Sequence, residues 1–177
     1  MRRSAIALAI LLASCSPRPS QPQDIVAVTR EVGAWQGHGT ATVGDIPSET
    51  GRFRIHYDTS GLHGVSTTDL NRNGVPDYVD EVGITADSAR STQVGRFGFK
   101  PPPSDGTVGG GRDQYDIYVR ELSRQSAYGY TYPENTVATT STSYLEIDNN
   151  YTDSIYASKE KDGLHTTIAH EFFHAVQ

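Results

Sequence analysis

Two histidines and a glutamate near the carboxyl end of this 177-residue chain have a spacing suited to metal chemistry. They lie in the segment His170-Glu171-Phe172-Phe173-His174, which has the pattern HExxH. Residues at positions i and i+4 are neighbours on one face of a helix, so both imidazoles can reach one ion. Zinc accepts histidine nitrogens in a tetrahedral shell. We therefore predict that His170 and His174 are zinc ligands.

The glutamate beside the first histidine suits a hydrolytic reaction at such an ion. A catalytic zinc keeps one position open for water and lowers the pKa of that water toward about 7. Glu171 can then take the proton as general base and later return one to a leaving amine. The pattern predicts zinc-dependent hydrolysis of peptide bonds, with Glu171 as the catalytic carboxylate and a protein or peptide as substrate.

The segment around this motif has the periodicity of a helix from Gly163 to Gln177. Its apolar residues recur at helical spacing and predict a stripe that packs on the core. These residues are Leu164, Ile168, Phe172 and Ala175. The two histidines lie away from this stripe, so we expect the helix to bury one side and to present the other to a cleft.

A second polar motif, DLNRNGVPDYVD, resembles a calcium-binding loop in which oxygen ligands alternate along the chain. Gly74 permits the sharp turn that such loops need, and Val75 would contribute its backbone carbonyl. The candidate calcium ligands are Asp69, Asn71, Asn73, Val75, Asp77 and Asp80. Asp80 replaces the usual glutamate, and no helix is predicted before the loop. The alternative interpretation is an Asn/Gly turn that caps the helix that follows.

The remaining patterns predict an α+β fold. Arg52 to Tyr57 alternates as a half-buried strand, with His56 on its polar, surface face. Further strands are expected at 115–122 and 143–148, a helix at 77–94, and loops at 95–111 and in the tyrosine-rich stretch 127–135.

The amino terminus has the features of an export signal. Arg2 and Arg3 precede a short apolar run from Ala5 to Ala13, which is too short to span a membrane. Leu12-Ala13-Ser14-Cys15 resembles a bacterial lipobox, in which the cysteine is lipidated and becomes the first mature residue. We expect a signal peptide (1–14), a Pro/Ser-rich tether (15–24) and one domain (25–177). The alternative is plain secretion with cleavage nearby.

This organisation and the charge of the chain limit its partners and its location. The formal charge of −6 argues against nucleic acid, because phosphate binding needs a basic surface. A lipid on Cys15 would hold the protein on a membrane surface of the cell envelope. Ser16 after Cys15 resembles a sorting signal for the outer membrane.

Three segments together carry a resemblance to a known family. IAHEFFHAVQ resembles the active-site helix of the HExxH zincins. With FRIHYDTSG and DLNRNGVPDYVDEV, it is similar to a family of exported bacterial proteins assigned as metallopeptidases, over roughly Phe53 to Gln177. The resemblance implies a zincin-like catalytic domain, a mixed sheet backed by helices with an edge strand lining the cleft. On this analogy Ser143–Asp148 is the expected edge strand, to which a peptide could add by backbone hydrogen bonds.

The chain departs from the zincin pattern at the third zinc ligand. The metzincin pattern requires glycine where this chain has Gln177, and the gluzincin type takes a glutamate from a later helix. We therefore expect a truncated, gluzincin-like chain with its third ligand beyond Gln177; His165 points elsewhere on the helix. The competing hypotheses are a calcium-dependent surface-binding lipoprotein with an inactive zincin fold, and a non-functional gene fragment that folds poorly.

Overall fold

The computed structural model of the chain describes residues 43–104, 106, 113–137 and 140–177. The predicted signal peptide (1–14), Cys15, the tether (15–24) and the first part of the predicted domain (25–42) lie outside the described residues. Part of the predicted loop 95–111 lies outside them as well. In the described part of the chain, no helix is long and apolar enough to cross a membrane.

The described residues form an α+β fold, as predicted, in which a five-stranded mixed sheet packs against two α-helices. The sheet order is β1-β2-β3-β5-β4. Strands β2, β3 and β5 run parallel, and β1 and β4 pair antiparallel at the two edges. The strands are β1 (Val43–Pro47), β2 (Phe53–Asp58), β3 (Tyr115–Arg120), β4 (Gly129–Val137) and β5 (Thr140–Asp148), and the α-helices are α1 (Asp77–Arg90) and α2 (Glu160–Val176).

Strand β2 confirms the predicted strand, in which Phe53 and Ile55 are fully buried. The prediction that it is half-buried is wrong, because the residues of both faces are buried. The prediction that His56 lies on the surface is wrong. Its Nε2 is 2.9 Å from a carboxylate oxygen of Asp116, and its ring stacks on Tyr118 at 4.4 Å between centroids. Because β2 lies between two other strands, side chains from β3 cover its polar face as well.

Helix α1 confirms the predicted helix in this region. It continues as a π-helical turn, Ser91–Arg96, so the helical backbone extends two residues past the predicted end. In this turn Gln93 is buried, and its Nε2 donates to the carbonyl oxygen of Ala169 in α2 at 2.8 Å. The turn therefore joins the end of the first helical segment to the residue that precedes the HExxH motif.

The structure corrects two predictions at the sheet edge that faces α2. The tyrosine-rich stretch is not a loop, because most of it forms β4. Ser143–Asp148 is part of β5, which lies between β3 and β4 and is therefore not an edge strand. The register pairs Thr131 with Leu145, and a shift near Pro133 interrupts it. An edge strand tolerates proline and a bulge, since its outer N–H groups need no partner within the sheet.

Helix α2 is held by its apolar stripe, as predicted. Leu164, Ile168 and Phe172 are almost completely buried against the sheet. The ring of Phe172 meets Phe53 and Tyr115 edge to face, at 5.4 and 5.8 Å between centroids. Burial of a large apolar side chain contributes about 1.5–3 kcal/mol. These contacts fix the rotation of the helix and so decide which way the HExxH residues point.

Candidate metal centre

The two histidines of the HExxH segment converge on the exposed face of α2. His170 and His174 are both exposed, and their Nε2 atoms are 3.1 Å apart. Two nitrogens at about 2.0–2.1 Å from one tetrahedral zinc would be about 3.3–3.4 Å apart. The side chains therefore lie within a few tenths of an ångström of a zinc-binding separation without any movement of the backbone.

The same separation also fits one hydrogen bond between the two rings. A neutral imidazole has one N–H donor and one acceptor nitrogen, so a single proton can lie between the two Nε2 atoms. A metal ion would take the place of this proton, because only an unprotonated nitrogen can be a ligand. The separation of the pair is thus compatible with a bound metal ion and with a shared proton.

The side chain of Glu171 reaches the edge strand β4. Its side chain is buried, with 8% of the residue's surface exposed. The hydroxyl of Thr131 in β4 lies 2.9 Å from its Oε2 and 2.7 Å from its backbone oxygen. The candidate catalytic carboxylate is therefore held at the junction of α2 and β4, beside the first histidine.

A glycine in β4 brings this strand unusually close to α2. A Cβ placed on Gly129 would lie 2.5 Å from Cγ2 of Thr167 and 3.1 Å from Cγ of Glu171. Such contacts are too short for any larger residue unless the strand moves. The absence of a side chain at Gly129 therefore lets the edge strand lie directly on the helix that carries the motif.

An open cleft passes over the two histidines and the glutamate. Its lining includes residues of β4 and the segment 98–101. The ring of Phe99 meets that of Phe173 edge to face at 5.3 Å, and the neighbouring Phe97 is 63% exposed. The lining thus combines aromatic side chains, among them Phe99, Tyr130 and Tyr132, with the edge strand that carries the two tyrosines.

The described residues supply two ligands for a zinc ion and no complete protein shell. They contain no group of three or more His, Cys, Asp or Glu residues placed to hold a metal. His165, the alternative third ligand, faces α1, where its Nε2 lies 2.6 Å from Oε1 of Glu81. It therefore does not contribute to the pair, and the residues present fit zinc through two nitrogens beside one carboxylate.

The candidate calcium loop is closed by its own hydrogen bonds. The carboxylate of Asp69 accepts the backbone N–H groups of Asn73 and Gly74, at 3.2 and 2.9 Å. Asn71 accepts the N–H of Asn73 at 2.9 Å, and Asn73 accepts that of Val75 at 2.8 Å. Gly74 has a φ of 87°, which confirms the predicted sharp turn.

The last acidic residues of the loop tie it to the start of α1. Oδ2 of Asp80 accepts the side-chain amides of Asn71 and Asn73, both at 2.9 Å. Oδ1 of Asp77 accepts the N–H of Leu70 at 3.0 Å. The structure thus brings Asn71, Asn73 and Asp80 together, and the oxygens of Asp69 and Asp77 face backbone N–H groups. This arrangement is compatible with a calcium loop and with a self-contained helix-capping turn.

Two features of the site were missed by the sequence interpretation. The strand β4 had a signal, since Tyr130 and Tyr132 alternate at its start and Pro133 is typical of an edge strand. The contact of Thr131 with Glu171 had none, because the two residues are 40 positions apart. No protein-family model, curated protein or solved structure matches this chain. The chemistry of the site therefore rests on its own geometry.

Proposed function

We propose that this chain carries the metal-binding helix and the catalytic carboxylate of a zinc-dependent endopeptidase with a zincin-like fold. The observation that carries the proposal is the convergence of His170 and His174 in an open cleft, with their Nε2 atoms 3.1 Å apart. Beside them lie the buried carboxylate of Glu171 and an edge strand. Two unrelated histidines on a surface helix would not explain the buried carboxylate and the edge strand beside them.

Each residue of the motif has a distinct role in this proposal. His170 and His174 would hold the ion through their Nε2 atoms. Bound zinc would supply a Lewis acid that lowers the pKa of water toward about 7. Glu171 would be the general acid–base, a carboxylate that accepts a proton from the attacking water and returns one to the leaving amine.

The edge strand gives the site a way to bind an extended peptide. In the described part of the chain β4 pairs only with β5, so its outer N–H and C=O groups face away from the sheet. A peptide can add there as a further strand and receive main-chain hydrogen bonds. This geometry supports a polypeptide as the substrate, with its scissile bond carried past Glu171.

One more protein ligand completes the proposed centre. A catalytic zinc usually has three protein ligands and one water. The described residues place two, so the third belongs to a residue outside them or to a segment that moves when zinc binds. Zinc analysis of the purified protein addresses this point directly, because a shell of two histidines alone retains zinc poorly through gel filtration.

The first experiment combines zinc content with cleavage of an unfolded protein such as casein. The wild type is expected to retain zinc and to cleave casein. Glu171→Gln should retain zinc but lose activity by about 100-fold or more, since a general base contributes about 10²–10⁴ in rate. His170→Ala/His174→Ala should lose both properties. Equal cleavage by wild type and Glu171→Gln would assign the activity to a contaminant and reject the proposal.

The second candidate function is calcium-dependent binding of a surface ligand by an inactive zincin-like fold. The gathering of Asn71, Asn73 and Asp80 around one point favours it. Its test is binding of the protein to cell-envelope glycans and proteins in calcium or in chelator. Binding that disappears in chelator and is unchanged in His170→Ala would favour this function over hydrolysis.

The proposal places the protein on the bacterial cell envelope through a lipid on Cys15. The lipobox-like sequence Leu12-Ala13-Ser14-Cys15 supports this location. Labelling of cells with a radioactive fatty acid tests it. Incorporation into the wild type that is absent in Cys15→Ala is the expected result, and an unlabelled wild type would indicate plain secretion.

A further inference from the structure

The hydroxyl of Thr131 has two acceptors within hydrogen-bond distance, both on Glu171. Oε2 of the carboxylate lies at 2.9 Å and the backbone oxygen at 2.7 Å. The hydroxyl has one proton, so it donates to one of them at a time or is shared between them. A carboxylate is the stronger acceptor, and the backbone oxygen of a helix accepts the N–H four residues later. The proton therefore favours the carboxylate.

This bond restricts the carboxylate of the residue that acts as the general base. Glu171 has three side-chain torsions, and most of its surface is buried between α2 and β4. The hydrogen bond that Oε2 accepts from the hydroxyl of Thr131 fixes the direction of that oxygen, and the other oxygen is left for the cleft that Glu171 lines. A general base works at full rate only when its oxygen is held within hydrogen-bond reach of the proton that it removes.

We propose that Thr131 is a positioning residue, which holds the carboxylate of Glu171 in its reactive orientation and connects it to the strand that receives the peptide. This inference rests on the proposed peptidase function. Thr131 lies on β4, and the same strand offers its outer edge to substrate. A peptide paired with β4 would therefore be held by the same strand that carries the hydroxyl of Thr131, which orients Glu171.

The close approach at Gly129 supports this connection independently. With a hydrogen in place of a side chain, β4 lies against Thr167 and against the Cγ of Glu171 itself. Because the strand touches the glutamate at both Gly129 and Thr131, small shifts of the strand are transmitted to the carboxylate. The two contacts lie on the same face of β4, two residues apart, as the alternation of a strand requires.

The test compares Thr131→Val with Thr131→Ser and with Thr152→Val in the zinc-loaded protein. Valine keeps the shape of threonine and removes only the hydroxyl, and serine keeps the hydroxyl. Thr152 is exposed and does not line the cleft. We expect Thr131→Val to lower kcat about tenfold, because small misplacement of a reacting group costs one to two orders of magnitude. KM and zinc content should stay within about twofold, and serine should restore most of kcat.

A second measurement does not depend on activity or on zinc. In the zinc-free protein, Thr131→Val should lower Tm, and this decrease should shrink when Glu171 is already alanine, as in any double-mutant cycle of a direct contact. A kcat unchanged by Thr131→Val, or an equal decrease of Tm in the Glu171→Ala background, would overturn the inference. An inactive zinc-loaded wild type would instead overturn the peptidase function, and the catalytic role of Thr131 with it.

Discussion

The HExxH helix and the loop from Asp69 to Asp80 both match metal-binding patterns, but their polar atoms are satisfied to different degrees. In the loop, the oxygens of Asp69 and Asp80 each accept two N–H donors from the loop itself. On the helix, the two imidazole nitrogens face each other at 3.1 Å and can share only one proton. We therefore expect a bound ion to stabilise the histidine pair more than the loop.

This difference follows from the sequence separation between the polar groups of each site and their partners. The loop lies within twelve consecutive residues, so its own backbone can satisfy its side chains. An ion bound there would have to replace the amide donors of Asn71 and Asn73 around Asp80. The helix places two nitrogens at a fixed separation and depends on distant residues for everything else. The loop is satisfied by its own amides without an ion, whereas the described residues give the helix motif no third ligand for a zinc shell.

The largest expected effect is the stabilisation of the helix site by zinc. At a free zinc concentration of about 100 times Kd, binding contributes about 2.7 kcal/mol. For a domain of this size that corresponds to a rise in Tm of about 5–10 °C. His170→Ala should abolish the rise, as measured by thermal unfolding with and without zinc.

His165→Ala is the matched control for this measurement. It removes an exposed histidine from the same helix, one whose ring faces Glu81 instead of the pair. The zinc-dependent rise in Tm should survive in this variant. A rise that persists in His170→Ala and disappears in His165→Ala would reverse the assignment of the ligands.

A smaller effect is expected when calcium is added to the loop. Loops of this kind in extracellular proteins have a Kd of about 10⁻⁴–10⁻³ M, so 5 mM calcium contributes about 1–2 kcal/mol and raises Tm by a few degrees. Asp69→Asn, which keeps an oxygen acceptor but removes the charge, should remove most of this rise. Asp153→Asn, at an exposed site, should not. An unchanged Tm in calcium would identify the loop as a helix-capping turn.

How much the sequence predicts depends on whether a residue's partners are near it in the chain. The α+β class, both helices and the turn at Gly74 follow from local periodicity and local turn chemistry, and the structure confirms them. The opposite faces of α2, with Phe172 buried and His170 exposed, were also predictable from helical spacing.

The wrong predictions concern residues whose burial or secondary structure depends on contacts with residues distant in sequence. His56 lies on the polar face of its strand, yet Asp116 and Tyr118 cover it from β3. The stretch that forms β4 contains Pro133 and Glu134, which weaken its strand pattern, and only its pairing with β5 makes it a strand. The bond between Thr131 and Glu171 depends on how an edge strand packs on a helix, which no spacing within the sequence encodes.

The smallest expected effect concerns Glu81, a carboxylate that connects the two regions. Glu81 directly follows the last acid of the loop, and it bonds Lys161 and His165 of α2 at 2.7 and 2.6 Å. These two hydrogen bonds hold its pKa below the usual value of 4.5. A carboxyl group with a lowered folded-state pKa stabilises the fold above its unfolded pKa, and this stabilisation is lost as the pH falls through the folded pKa.

Glu81→Gln should therefore lower Tm by no more than about 2 °C at pH 7, because exposed ion pairs contribute little. The difference from wild type should disappear as the pH falls below 4.5 and through the lowered folded-state pKa of Glu81, where the native carboxyl group becomes protonated. Glu49→Gln, an exposed control, should show no such trend. The rises in Tm caused by zinc and by calcium should be additive in the wild type and in Glu81→Gln, as for independent sites. Rises that are non-additive in the wild type and additive in Glu81→Gln would show that Glu81 couples the loop to the HExxH helix. The two regions would then be parts of one site.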